Sequence, residues 1–184
     1  MKRGLTQALV PVSRVLARVR PSDVEEFEKT ILGSRRVFLT GLGRTGLIAR
    51  GFSMRLMHLG RRVYHVGDVI TPAIRRGDLL VVCSRTGRSP ILRHYMRIAR
   101  RAGARVALVT ADRKSPIADA ADVVLELPSE TKDRKTLRGK NPEPPLGSVF
   151  EQAMLLVLDQ VVLRLMRVLG LSPSDLSRIH TTFE

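Results

Sequence analysis

Two short apolar segments, each followed at once by a loop of small and polar residues, restrict the folds open to this chain. Residues 36–40 lead into the loop at 41–46 (Gly-Leu-Gly-Arg-Thr-Gly), and residues 78–83 lead into the loop at 84–89 (Ser-Arg-Thr-Gly-Arg-Ser). Glycine lets backbone N–H groups approach an anion, hydroxyls add donors, and a following helix points its positive end at the same place. On successive strands of an open parallel sheet such loops converge, so the sequence predicts a site for phosphorylated small molecules.

Five segments rich in Val and Leu alternate with helical patterns, which is typical of a parallel sheet covered on both faces. The predicted strands cover 36–40, 62–66, 78–83, 105–110 and 122–127. Residues 67–77 contain no helical pattern. Because 184 residues is near the usual size of one domain, we expect a single three-layer α/β domain over 1–184.

The segments outside the sheet core at 34–127 differ in character. Residues 1–33 predict two helices, the first with Pro11 as an objection to its continuity and the second opening at an N-cap within Pro21-Ser22-Asp23. Residues 128–147 are polar and rich in proline, so we expect a mobile loop. Residues 148–184 predict C-terminal helices. The first of these is apolar around most of its circumference, which predicts self-association.

The composition excludes several other classes of protein. Hydrophobic residues make up 43% of the chain, but no apolar run is long enough to span a bilayer, and the single Cys83 excludes an internal disulfide framework. We therefore expect a cytoplasmic protein. The net charge of +15 predicts no more than nonspecific nucleic-acid binding, because aromatic residues are scarce. His58 and His65 have no metal-ligand spacing. The excess of Arg with few amides favours a thermophilic source, although the base composition of the genome would produce the same bias.

Three stretches of sequence resemble the sugar isomerase (SIS) domain family and, within it, the 6-phospho-3-hexuloisomerases. They are Gly41–Gly46, Phe52–Gly60 and Pro145–Gln152, and the likeness extends from about residue 31 to the carboxyl terminus. The resemblance implies a five-stranded parallel sheet of flavodoxin-like order and a homotetramer without cofactor or metal. It also implies conversion of D-arabino-hex-3-ulose 6-phosphate to fructose 6-phosphate in the ribulose monophosphate route.

The same resemblance implies two catalytic residues. Glu151 would remove a proton next to the sugar carbonyl, and His180 would move protons at the sugar oxygens, in its own or a neighbouring subunit. Each has a structural alternative. Ser148 and Glu151 fit a capping box, and His180 lies near the end of a short helix, where it would complement terminal carbonyls.

The two loops supply the expected substrate contacts, which are Gly43, Arg44, Thr45, Ser84, Arg85, Thr86, Gly87 and Ser89. Ser89 and Pro90 also fit the N-cap and first position of a helix, a role compatible with anion binding. Arg85 departs from the family pattern, in which a glycine lies between the two hydroxyl residues. It would either strengthen phosphate binding or obstruct the pocket.

Three other functions stay open at this point. A noncatalytic SIS module would sense a sugar phosphate, and a related isomerase would act on a pentose phosphate. The first loop also satisfies the dinucleotide-binding fingerprint, with Asp68 placed to bind a ribose. The polar Arg44 and Thr45 inside that motif, and the lack of a substrate domain, disfavour a nicotinamide enzyme.

Overall fold

Helices and strands alternate along the chain as the sequence predicts. The computed structural model describes residues 2–129 and 148–179. The helices are α1 (Lys2–Leu16), α2 (Pro21–Leu32), α3 (Gly43–His58), α4 (Pro90–Arg101), α5 (Ser148–Leu169) and α6 (Pro173–Ile179). The strands are β1 (Val37–Gly41), β2 (Val63–His65), β3 (Leu79–Cys83), β4 (Arg105–Thr110) and β5 (Val123–Glu126), and a 3₁₀ turn covers Ala118–Ala120.

The five strands form one parallel sheet in the order β2-β1-β3-β4-β5. This is the predicted flavodoxin-like order. The strand order reverses between β1 and β3, which are direct neighbours with Gly41 opposite Cys83. The carboxyl ends of these two strands therefore lie side by side at the point where an open α/β sheet binds ligands.

Two apolar clusters cover the two faces of the sheet. On one face, alternate strand residues such as Leu39 and Val81 pack with α1, α2, α3 and α5, where Phe27, Phe52 and Phe150 are fully or almost fully buried. On the other face, the remaining strand residues pack mainly with α4. Because both faces are covered, the strands contain nearly continuous apolar sequences, and the domain has three layers.

Ion pairs join α2 to neighbouring elements. Arg113, which follows β4, forms an ion pair with the buried Asp23 of α2 and a second one with Glu126 at 3.4 Å. Arg164 of α5 bonds Glu28 of α2 at 2.6 Å. These contacts fix α2 against both β5 and α5.

The structure corrects some boundaries. α1 is continuous through Pro11, and its buried Val12 and Val15 belong to the same cluster as α5. α2 begins at Pro21, so the N-cap is Arg20 and the N-cap predicted within residues 21–23 is wrong. The Arg20 side chain pairs with Asp23 but accepts no capping bond from the helix backbone. Proline at the first helical position explains this start, because its fixed φ suits a helix. β2 is shorter than predicted, as expected for an edge strand.

Part of the expected mobile loop, residues 130–147, lies outside the described residues. As the sequence predicts, no helix forms between β2 and β3. Within residues 2–129 and 148–179, none of the helices combines the length and apolarity needed to cross a bilayer.

Candidate active site

The first glycine loop is a close junction between β1 and α3. Leu42 precedes the helix in an extended conformation, and Gly43 has φ +58°, a left-handed conformation that favours glycine. A Cβ on Gly46 would lie 2.5 Å from the carbonyl oxygen of Gly41. Glycine at position 46 therefore lets the first turn of α3 approach the end of β1.

The second loop folds back on itself between β3 and α4. The Ser84 hydroxyl accepts a bond from the Gly87 N–H at 3.2 Å, and Gly87 has φ +57°. A Cβ on Gly87 would overlap the buried side chain of Ser115. Ser89 is the N-cap of α4, accepting from the Leu92 N–H at 3.5 Å, with Pro90 at the first helical position. The predicted cap is thus confirmed.

Arg85 joins the second loop to the neighbouring strand through its backbone. Its carbonyl oxygen accepts bonds from the Ala111 N–H at 3.0 Å and from the Thr110 hydroxyl at 3.2 Å. The side chains of Arg85 and Thr86 are partly exposed. These bonds hold the backbone at position 85 in place. The effect of having arginine rather than glycine here therefore depends on where the arginine side chain lies.

The carboxylate of Glu151 lies against the first loop. One oxygen is 3.3 Å from Nε of Arg44, and the other accepts a long 3.5 Å bond from the Thr45 hydroxyl. Nη1 of Arg44 also donates to the Ser148 hydroxyl at 2.9 Å. Glu151 is only 8% exposed. Both carboxylate oxygens thus contact side chains in the first turn of α3.

Gly43, Arg44, Thr45 and Glu151 are therefore brought together, and the second loop lies on the adjacent strand of the same sheet edge. His180 lies outside the described residues. Ser148 was identified from the sequence only as a cap, and its bond to Arg44 was missed. Ser115 was missed altogether. Its contact with Gly87 joins segments 28 positions apart, and the local sequence contains no signal for it.

Asp68 is held by Arg50. The two side chains share bonds of 2.8 and 3.2 Å, and the bond from Arg50 lowers the pKa of Asp68. Both residues line a cavity of about 250 Å³ between α3 and the edge strand β2, together with His65 and Thr71. The carboxylate that a dinucleotide site would use to bind the ribose is therefore already engaged in an ion pair.

Two further observations concern possible nucleophiles and metal ligands. Burial raises the pKa of the Cys83 thiol to about 12, so this residue is a protonated core side chain rather than a nucleophile. In the described part of the chain, no three His, Cys, Asp or Glu side chains are grouped as metal ligands would be.

Comparison with known proteins gives a consistent result. The SIS domain model matches residues 30–139. A 3-hexulose-6-phosphate isomerase of Bacillus subtilis is 34% identical over 91% of this chain and 90% of its own length. A protein of the same name from Mycobacterium gastri is 39% identical over 82% of this chain and 74% of its own length.

A solved structure agrees with these relatives. The Methanococcus jannaschii protein whose structure infers a function of 3-hexulose-6-phosphate isomerase has a TM-score of 0.80 and 25% identity. It covers 97% of this chain and 96% of its own. With a family model that matches more than half of its residues, and relatives above 30% identity over most of its length, this chain belongs to the SIS domain family.

Proposed function

We propose that this protein is a sugar-phosphate isomerase that interconverts D-arabino-hex-3-ulose 6-phosphate and fructose 6-phosphate. Its relatives named 3-hexulose-6-phosphate isomerase support this reaction over both sugar-phosphate sensing and pentose phosphate isomerisation. One observation supports the assignment of particular residues. The Glu151 carboxylate contacts Arg44 and Thr45 at the carboxyl edge of the sheet, where open α/β sheets bind ligands.

The second loop would bind the phosphate group. α4 begins directly after Ser89, so the N–H groups of its first turn and the positive end of its dipole favour an anion at this place. The hydroxyls of Ser84, Thr86 and Ser89 add further donors, and glycine at position 87 lets the loop pack closely against Ser115. Arg85 would add a positive charge from the rim of the loop.

Glu151 would carry the proton between carbons. Moving a carbonyl to the adjacent carbon requires removal of a proton beside it, an enediolate, and return of a proton to the neighbouring carbon. Arg44 pairs with Glu151 and is half exposed, so its charge can also attract an oxyanion of the substrate. Thr45 offers a hydroxyl to a sugar oxygen. His180 remains our proposed group for proton transfer at the oxygens.

We also propose a cytoplasmic homotetramer working in the ribulose monophosphate route. Two separate apolar surfaces support assembly. The outer face of α5 exposes Leu155, Leu156, Leu163 and Val168, whereas α3 and the loop after β2 expose Leu47, Met54, Val69 and Ile70. Two distinct self-complementary surfaces are what a tetramer of dihedral symmetry needs.

The test is an assay of the purified protein for fructose 6-phosphate formed from the 3-hexulose phosphate. Glu151→Gln should fold and assemble normally but lose at least about 10³-fold in kcat, because an amide cannot accept the proton. Asp159→Asn, an exposed change on the same helix, is the matched control and should retain full activity. Wild-type turnover by the Glu151→Gln protein would exclude this residue as the base.

A further inference from the structure

The end of the sheet opposite the active site has a high density of arginines. The amino ends of four strands are in register, since Val37 lies opposite both Val63 and Leu79, and Leu79 lies opposite Arg105. The residues that precede these strands, and the turns that lead into them, are therefore neighbours. Six exposed arginines lie there and define what we call the basic end: Arg35, Arg62, Arg75, Arg76, Arg101 and Arg105.

Backbone contacts confirm that these residues share one surface. The Arg35 N–H bonds the Gly77 carbonyl at 2.8 Å, and the Arg62 carbonyl accepts from Val37 at 2.9 Å. The Arg105 N–H bonds the carbonyl of Asp78 at 3.0 Å. The Arg76 side chain packs beside Gly103, which follows α4. Three turns and a helix end thus meet in one positively charged area.

The two carboxylates at this end already have partners. Asp78 is buried and accepts bonds from Nε and Nη2 of Arg36 at 3.0 and 2.6 Å. Asp122 accepts from Arg100 at 3.2 Å and from the Val106 N–H at 2.7 Å. Among the described residues, none of the six arginines of the basic end forms an ion pair with a carboxylate.

Helix ends do not neutralise this charge. α2, α3 and α4 end at the same side of the sheet, and each carboxyl-terminal dipole is equivalent to about half a negative elementary charge. The three dipoles together offset less than two of the six arginines. Arg61, which is not one of the six, already bonds the carbonyls of Ile31 and Leu32 at the end of α2. The basic end therefore remains strongly positive.

We propose that the basic end binds the phosphodiester backbone of nucleic acid without sequence preference, a function distinct from the isomerase activity. Guanidinium groups suit phosphate because they can donate two parallel hydrogen bonds to it. Four adjacent strands spaced about 4.8 Å apart make a row of about 15 Å, a length of duplex that carries several phosphates. These arginines lie on strand ends and turns, whereas a membrane surface selects amphipathic helices with an apolar face.

The experiment measures binding of a labelled 20-base-pair DNA duplex by fluorescence anisotropy between about 50 and 200 mM salt. The test variant is R62Q/R76Q/R105Q. The control variant R14Q/R18Q/R167Q removes the same charge from exposed arginines on α1, just after α1 and on α5. Losing three phosphate contacts should reduce the slope of log K against log salt by about 2.7, and should weaken binding at least tenfold at low salt. The control should change affinity less than threefold.

Two readouts separate this proposal from its competitors. Both variants should keep the wild-type melting temperature and isomerase rate, because the basic end lies opposite the active site. The DNA measurement does not depend on the proposed function, since DNA binding can be measured even if the protein has no isomerase activity. Equal weakening in both variants would overturn the proposal in favour of net charge alone. Undetectable binding by the wild type, or binding to vesicles of anionic phospholipid without binding to DNA, would also overturn it.

Discussion

Glu151 is buried, yet each of its carboxylate oxygens has a partner from the first glycine loop. Arg44 supplies a positive charge at 3.3 Å, which offsets part of the cost of burying a carboxylate. The same arginine bonds Ser148, one turn earlier on α5. The proposed base thus contacts the loop that would contact the substrate.

His65 gives a prediction for the pH dependence of stability. Burial lowers the pKa of His65 below its usual value of 6.5, and the nearby Arg50 lowers it further, against smaller opposing effects of the Val66 carbonyl and Asp68. The unfolded chain therefore binds a proton at this residue more readily than the folded protein does. As the pH falls through 6.5 towards the folded-state pKa, stability should decrease. Thermal melts at pH 7.5 and 5.5 measure this loss.

The variant His65→Gln should show a smaller decrease in melting temperature between these two values of pH, whatever its absolute stability. His94→Gln changes an exposed histidine and should behave as the wild type does. Asp68 and Asp78 do not interfere, because their pKa values are lowered from 3.8 and their contributions are lost only in stronger acid. Identical pH dependence in wild type and His65→Gln would show that this histidine is not the group responsible.

At the scale of elements, the contact between α3 and β1 decides how close the helix comes to the sheet edge. Gly41 ends the strand and Gly46 lies in the first turn of the helix, with their backbones in direct contact. Arg44 and Thr45 lie between these two glycines. A change in this contact would displace both side chains relative to Glu151.

Alanine substitutions in α3 test this contact. Gly46→Ala should destabilise the protein by about 2–3 kcal/mol, because the added methyl group would lie 2.5 Å from the Gly41 carbonyl oxygen. Gly51→Ala is the matched control on the same helix, where a Cβ would meet nothing within 4 Å. Alanine there should stabilise the helix by about 0.5–1 kcal/mol. Urea unfolding of both variants measures the difference, and equal effects would contradict a special role for Gly46.

Local patterns predicted most of the elements but not the contacts between distant ones. The Val- and Leu-rich strands, the cap at Ser89 and the apolar helix at 148–169 were each readable from neighbouring residues. The pairing of Arg44 with Glu151 joins positions more than a hundred residues apart, so only the resemblance to a family suggested that both belong to one site. The ion pair of Arg113 with Asp23 depends on sheet order in the same way and was not predicted.

At the scale of the whole molecule, the surface is divided by chemistry. The carboxyl edge of the sheet holds the proposed active site, the amino edge holds the basic end, and exposed apolar residues occupy the outer faces of α3 and α5. We propose that these apolar side chains form contact surfaces between copies of the chain. Because the basic end and the apolar faces of α3 and α5 are separate surfaces, assembly and anion binding could occur at the same time.

Assembly through α5 can be tested by a single substitution. Leu163→Glu should reduce the molar mass measured by light scattering from that of a tetramer to that of a dimer or monomer, because a charge on the outer face cannot be buried against a second copy. Ile98→Glu changes a similarly exposed residue on α4 and should leave the mass unchanged. A wild-type protein that is monomeric at micromolar concentration would refute the proposed tetramer.

α5 is a single rod of 22 residues with Glu151 in its first turn and Leu163 farther along. Twelve residues of helix span about 18 Å, so a tilt of about 3° pivoting near Leu163 would swing the carboxylate by about 1 Å. An error of that size at a reacting group can lower a rate about a hundredfold. Contacts made by α5 near Leu163 therefore affect the position of the Glu151 carboxylate as much as the residues that would bind the sugar do.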